Sequence, residues 1–122
     1  MAPMRVPEGP DEGIYVVESP DAMASPVFLN SPHSGESFPS AFLARAQISR
    51  QMMRRASDLY VDELFVPAVA QGLPLMRAVL PRSFVDLNRE PFELDPRLIA
   101  GPLPIDANTR SLRVAGGLGT VP

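Results

Sequence analysis

The stretch Val27-Phe28-Leu29-Asn30-Ser31-Pro32-His33-Ser34-Gly35 is an apolar run that stops abruptly at a polar turn, and that turn carries the single histidine of the chain. Bulky apolar residues bounded by a turn signal fit a short buried strand over Val27 to Asn30. Pro32 offers no N–H to a ladder and pushes Ser31 toward extended geometry, and Gly35 permits a tight turn just beyond. In open α/β sheets, chemistry collects where such strands end. A lone histidine reads as an ordinary polar or core residue or as a site residue. Its place at a strand-end turn is what argues for the second.

The rest of the chain follows in order from that strand. Residues 1–13 are proline-rich and acidic without a period, which predicts a mobile leader, and residues 14–122 then form a single α/β domain. Ile14 to Val17 is a short strand candidate and Ser19 to Pro26 a loop. Ser40 is placed to cap a short helix through Ala46, and Ser49 to cap Arg50 to Ala56. From Asp58 to Gln71, Leu59, Leu64, Phe65, Ala68 and Val69 recur at helical spacing, with Pro67 inside and Gly72 as the terminator. Leu73 to Leu80 and Ser83 to Leu87 read as two strand segments around the Pro81 break. Strand, helix and strand in this order require a crossover connection. Residues 91–122 are loop-rich, with prolines, glycines and scattered apolar residues of no sustained period, and are expected to lie extended over the domain.

Composition narrows the function. With 122 residues, 45% of them hydrophobic, there is material for one core. The net charge of −3 is small, and although all 11 basic residues are arginine they are spread along the chain, which argues against nucleic acid or an anionic membrane as partner. The absence of cysteine removes disulfides, thiolate zinc sites and a cysteine nucleophile together. Apolar runs are too short to span a bilayer and no signal peptide precedes the first strand, so a cytoplasmic location is expected.

Two further constellations carry polar chemistry. Arg82, followed by Asp86-Leu87-Asn88-Arg89-Glu90, ends the last strand segment in charged and amide side chains. The planar fork of an arginine with an asparagine beside it suits a carboxylate ligand, whereas an Asp86 to Arg89 salt bridge would merely tie a loop. Asp58 and Asp62 stand four residues apart, on one face of the expected helix. Two like charges there call for a positive group between them, either a metal or Arg54 or Arg55 one turn earlier.

Ser31-Pro32-His33-Ser34-Gly35, then Asp58-Leu59-Tyr60-Val61-Asp62-Glu63-Leu64-Phe65, then Arg82-Ser83-Phe84-Val85-Asp86-Leu87-Asn88-Arg89 together resemble the N-formylglutamate amidohydrolase family. The resemblance spans Val27 to Pro91, and the tail from Gly116 to Pro122 is similar in character. It implies a zinc-dependent hydrolase of histidine degradation that converts N-formyl-L-glutamate to formate and L-glutamate. The fold it implies is a three-layer α/β arrangement, a mixed sheet flanked by helices as in zinc carboxypeptidases, of which this chain is the N-terminal half. By the same resemblance His33 is a zinc ligand and Asp58 the carboxylate ligand, with Asp62 the weaker candidate. Asn88 and Arg89 clamp the glutamate carboxylate, and Arg82 is a second anion-facing arginine.

A catalytic zinc takes three protein ligands and keeps a position for water. The single histidine leaves this chain short of that set, so a further histidine and a glutamate general base are expected beyond Pro122. The chain is then expected to be the first half of a longer enzyme or a truncated relative that keeps the fold without a complete site. Its expected protein partner is a missing C-terminal half or a second copy in a homo-oligomer. Zinc binding by this chain alone is expected to be weak. The partner so implied is a small N-acyl amino acid. The alternative is a non-catalytic module whose Arg/Asn cluster captures a small dicarboxylate or an acidic partner without metal.

Overall fold

The computed structural model describes residues 13–122. Apart from Gly13, the leader expected over 1–13 lies outside the described residues. In chain order the elements are β1 (Tyr15–Glu18), β2 (Leu29–Ser31), α1 (Ser40–Leu43), α2 (Arg50–Arg54), α3 (Val61–Val69), β3 (Leu75–Ala78) and α4 (Leu112–Ala115). The sheet order is β1-β3-β2. β1 runs antiparallel to β3, with Tyr15 opposite Ala78, and β2 runs parallel to it, with Leu29 opposite Leu75. The parallel pair is joined by α1, α2 and α3, the crossover that two parallel strands need. The described residues thus form a mixed α/β fold with a three-stranded mixed sheet.

β3 lies between two neighbours, and its ends show the consequence: Leu75 and Ala78 are buried, joined in the core by Val69, Val79, Leu80, Met53 and Val114. α3 packs on β3 and β2. Local chemistry accounts for several boundaries. Ser49 caps α2 as expected, its Oγ accepting from the Met52 N–H at 3.2 Å. Ser40 does not cap α1. It is the first helical residue, after Pro39, whose fixed φ of −57° suits a helix entry and whose side chain has nothing to donate or accept. After α3, Gly72 adopts φ +88° and donates its N–H to Val69 O, while Leu73 N–H reaches back to Ala68 O, the paired bonds by which a glycine closes a helix.

Three sequence expectations fail here. The run Val27 to Asn30, expected as a buried strand, pairs only over Leu29–Ser31, and Val27 and Phe28 lie exposed outside the ladder. The helix expected from Asp58 begins only at Val61, because Tyr60 sits in the left-handed region at φ 65° and the Asp58 N–H is drawn away to His33 O at 3.0 Å. Asp58 and Asp62 therefore do not share a helix face. The strand expected over Ser83 to Leu87 is a turn instead. Pro81 O accepts from both Phe84 N–H (2.9 Å) and Val85 N–H (3.3 Å), and Asp86 N–H goes to Thr120 O (2.9 Å), so no ladder partner remains for these groups. Phe84 and Phe42 meet edge-to-face with ring centroids 5.1 Å apart, which fixes this turn against α1.

The segment 91–122 carries one short helix, α4, and turns. It is anchored rather than simply laid over the surface: Glu93, Asp95, Val114 and Gly119 are buried. Leu98, Ile105, Leu112 and Leu118 remain exposed.

Candidate functional site

His33 lies two residues beyond β2 and is only 8% exposed. Its ring is held between two carboxylates: Nε2 lies 2.8 Å from Asp86 Oδ1, and Nδ1 lies 3.4 Å from Asp58 Oδ2. The two differ in environment. The Asp86 side chain is 1% exposed, whereas that of Asp58 is 56% exposed. The main chain supports the same arrangement, since the Asp58 N–H donates to His33 O. A buried carboxylate accepts only, so the hydrogen-bond network assigns the proton of the neutral ring to Nε2 and leaves the Nδ1 lone pair facing Asp58.

Asp86 is the hub. Its Oδ1 also accepts from the Asn88 N–H at 2.9 Å, and its Oδ2 accepts from Arg82 Nε at 2.9 Å, with Arg89 Nε farther away at 3.8 Å. Burial pushes its carboxyl up, but the hydrogen bonds from His33, the Asn88 N–H and Arg82 outweigh burial and hold it below its ordinary value of 3.8. Because the folded value is the lower one, this stabilisation is present above the ordinary value and is lost as pH falls through the folded value. The denaturant midpoint should therefore drop as pH falls below 3.8, and Asp86→Asn, which cannot titrate, should show a flatter profile there. Asp95, lowered in the same direction by the side chain and N–H of Arg97, keeps a residual slope in the variant. Identical profiles for the variant and the parent chain would remove Asp86 from the acid response.

The residues singled out from the sequence gather around this hub with one exception. His33, Asp58, Arg82 and Arg89 lie next to one another, and Asn88 joins them through its backbone. The Asn88 side chain is exposed. Arg89 is not an open fork in this structure: Nε donates to Leu118 O at 2.9 Å and Nη1 to Asn88 O at 2.8 Å. The salt bridge considered between Asp86 and Arg89 is the longest contact that Asp86 makes to a charged group, and His33 and Arg82 are its close partners. The exception is Asp62, which pairs with Arg77 of β3 at 3.4 Å, an arginine that also meets Glu18 of β1 at 2.7 Å. Neither Arg54 nor Arg55 supplies that charge. Arg54 is taken by Glu36.

The donors present can be compared with what zinc requires. Bonds of about 2.1 Å at a tetrahedral ion place two ligand atoms about 3.4 Å apart, which is the separation of His33 Nδ1 and Asp58 Oδ2. A ligating histidine also gives its other N–H to a carboxylate, as His33 gives Nε2–H to Asp86. The pair thus fits one half of such a site. Among the described residues no group of three histidine or carboxylate side chains stands ready to complete it.

A sequence model of the N-formylglutamate amidohydrolase family matches residues 25–122. The chain belongs to that family. The crystal structure of N-formylglutamate amidohydrolase from Ralstonia eutropha JMP134 superposes with a TM-score of 0.78 at 29% identity, over 88% of the present chain and 38% of that one. The present chain therefore spans well under half the length of that relative. No curated protein matches it.

The stretch shared with the N-formylglutamate amidohydrolase family contains every residue of the cluster, including one that sequence reasoning passed over. In the sequence Asp86 stands out only as a salt-bridge partner for Arg89. The signal available was chemical: a ring nitrogen held in one tautomer needs an acceptor, and the Asp-Leu-Asn-Arg run contains a carboxylate beside arginines. No helix among the described residues is long and apolar enough to cross a membrane.

Proposed function

We propose that this chain carries the histidine–carboxylate half of a zinc-dependent N-formylglutamate amidohydrolase site, in a fold of the zinc carboxypeptidase type, acting in the cytoplasm on N-formyl-L-glutamate to release formate and L-glutamate in histidine degradation. The observation that carries this is the His33 ring, with Nε2 on buried Asp86 and Nδ1 at 3.4 Å from exposed Asp58. His33 Nδ1 and Asp58 would hold the ion, and a third ligand and the general base would come from sequence or a subunit that the described residues do not supply. When bound, zinc polarises the acyl carbonyl and lowers the pKa of a coordinated water. In the neutral ring Asp86 keeps the proton on Nε2, so that the Nδ1 lone pair faces the place of the ion. Arg82, fixed by Nε on Asp86, leaves its terminal Nη groups for an anion, and Arg89, with Nε and Nη1 already given to Leu118 O and Asn88 O, would add Nη2 beside the Asn88 side chain on the other side of the substrate carboxylate's seat. Holding the substrate at two points is what converts binding into orientation for attack.

The single histidine makes a direct test possible, because every imidazole signal in a 15N spectrum belongs to His33. Zinc added to the labelled chain should shift Nδ1 and leave Nε2–H in place. The effect should be weak, reversed by a mild chelator and abolished in Asp58→Asn. Stoichiometric zinc surviving that chelator would show that two donors are not the whole site. An unmoved Nδ1 at millimolar zinc, together with a shift of the Arg82 and Arg89 signals on adding glutarate, would favour a metal-free dicarboxylate-binding module instead.

A further inference from the structure

We propose that the segment Gly117-Leu118-Gly119-Thr120, just after Gly116, is a positioning strap of this site, with Gly119 and Thr120 as positioning residues that act through Asp86 and Arg89. The proposal rests on the site as read above and adds to it a part placed some thirty residues further along the chain. The strap takes hold of both groups. Thr120 O accepts the Asp86 N–H at 2.9 Å, and Leu118 O accepts Arg89 Nε–H at 2.9 Å. These are not bonds of a sheet, since the turn that bears Asp86 has no ladder to join. The strap is itself fastened to the next stretch of the same loop, because Thr120 N–H donates to Glu93 O at 2.9 Å and the Thr120 hydroxyl donates to Glu90 O.

Its composition follows from this fit. Gly117 turns the chain at φ +72° out of α4, where Val114 is buried and anchors the segment. A Cβ on Gly119 would run into Glu93 O, a backbone atom that cannot swing aside, so the strap lies flat against the loop only with glycine there. Gly116 is different: a Cβ there would meet Leu112 O at an ordinary 3.4 Å. The carbonyl of Leu118 fixes where the guanidinium of Arg89 stands, 3.8 Å from the carboxylate that orients His33. One short segment therefore sets the relative positions of the arginine and of the ring anchor.

The test uses the 15N-labelled chain without metal or substrate, so that failure of the amidohydrolase reading leaves its outcome untouched. Three probes are followed: the Arg89 Nε–H, the His33 ring nitrogens, and the amides of β3 as a control for the fold. Gly119→Ala should speed exchange of the Arg89 Nε–H at least tenfold and move the His33 nitrogens toward a mixed tautomer, with β3 protection unchanged. Gly116→Ala should leave all three as they are. If Gly119→Ala does not fold, Thr120→Val and Thr120→Ser decide: loss of the hydroxyl should shift the Arg89 and His33 signals, and serine should restore them. Unmoved Arg89 and His33 signals in a folded Gly119→Ala, or in Thr120→Val, would overturn the proposal. So would equal changes from Gly116→Ala and Gly119→Ala.

Discussion

Asp86→Ala is expected to cost the fold about 3–5 kcal/mol, the range for removing one partner from a buried charge-paired network. The side chain is 1% exposed and receives three close hydrogen bonds, from His33, Arg82 and the Asn88 N–H. Alanine leaves all three donors facing a void that supplies no acceptor, and each buried unpaired donor carries its full desolvation penalty. It also frees the His33 ring to exchange its proton between nitrogens. Denaturant titration gives the stability change, and the 15N spectrum of the sole histidine gives the tautomer. A loss below about 1 kcal/mol would show that water replaces the carboxylate and that Asp86 is not the hub of the site.

Gly35→Ala should be of similar size, about 3 kcal/mol, for a steric reason. The Cβ would stand 2.6 Å from Val79 O and closer still to Leu80 O, both backbone atoms in the stretch that leaves β3. Neither carbonyl can yield without moving the end of the central strand, and the Ser37 N–H that binds Val79 O at 3.0 Å would be displaced as well. Because Gly35 is two residues from His33, the variant that survives should also show a shifted ring. Wild-type stability in Gly35→Ala would mean that the 33–37 turn can rise off β3, and the close approach would then have no bearing on the site.

The sequence made the glycine at position 35 legible as a turn former, whereas the structure calls for it because two carbonyls approach where a Cβ would be. The distinction matters for the site. A turn can be made in many ways, but the contact with Val79 and Leu80 brings the end of β2 down onto the end of β3 and sets His33 beside the Asp86 turn. A similar contrast holds for the charges. From spacing, Asp58 and Asp62 share a helix face, with Arg54 one turn before Asp58 as the natural positive partner. The left-handed Tyr60 breaks that helix, so Asp62 meets Arg77 from β3 and Arg54 meets Glu36.

What the sequence determined by itself is what near neighbours dictate. The strand before the histidine turn, the serine cap of α2, the glycine that closes α3 and the crossover between parallel strands all depend on a few adjacent residues, and each was readable from them. The motifs that mark the family were readable too, because they are runs of consecutive residues. Only the tertiary structure decided that Asp86, 53 positions from His33, is the acceptor for its ring. Only the structure turned Ser83 to Leu87 away from a strand by giving the Asp86 N–H to Thr120. The physical reason is common to both: a backbone or ring N–H must find an acceptor, but which acceptor stands within 3 Å is set by how distant segments pack, and no local propensity contains that information.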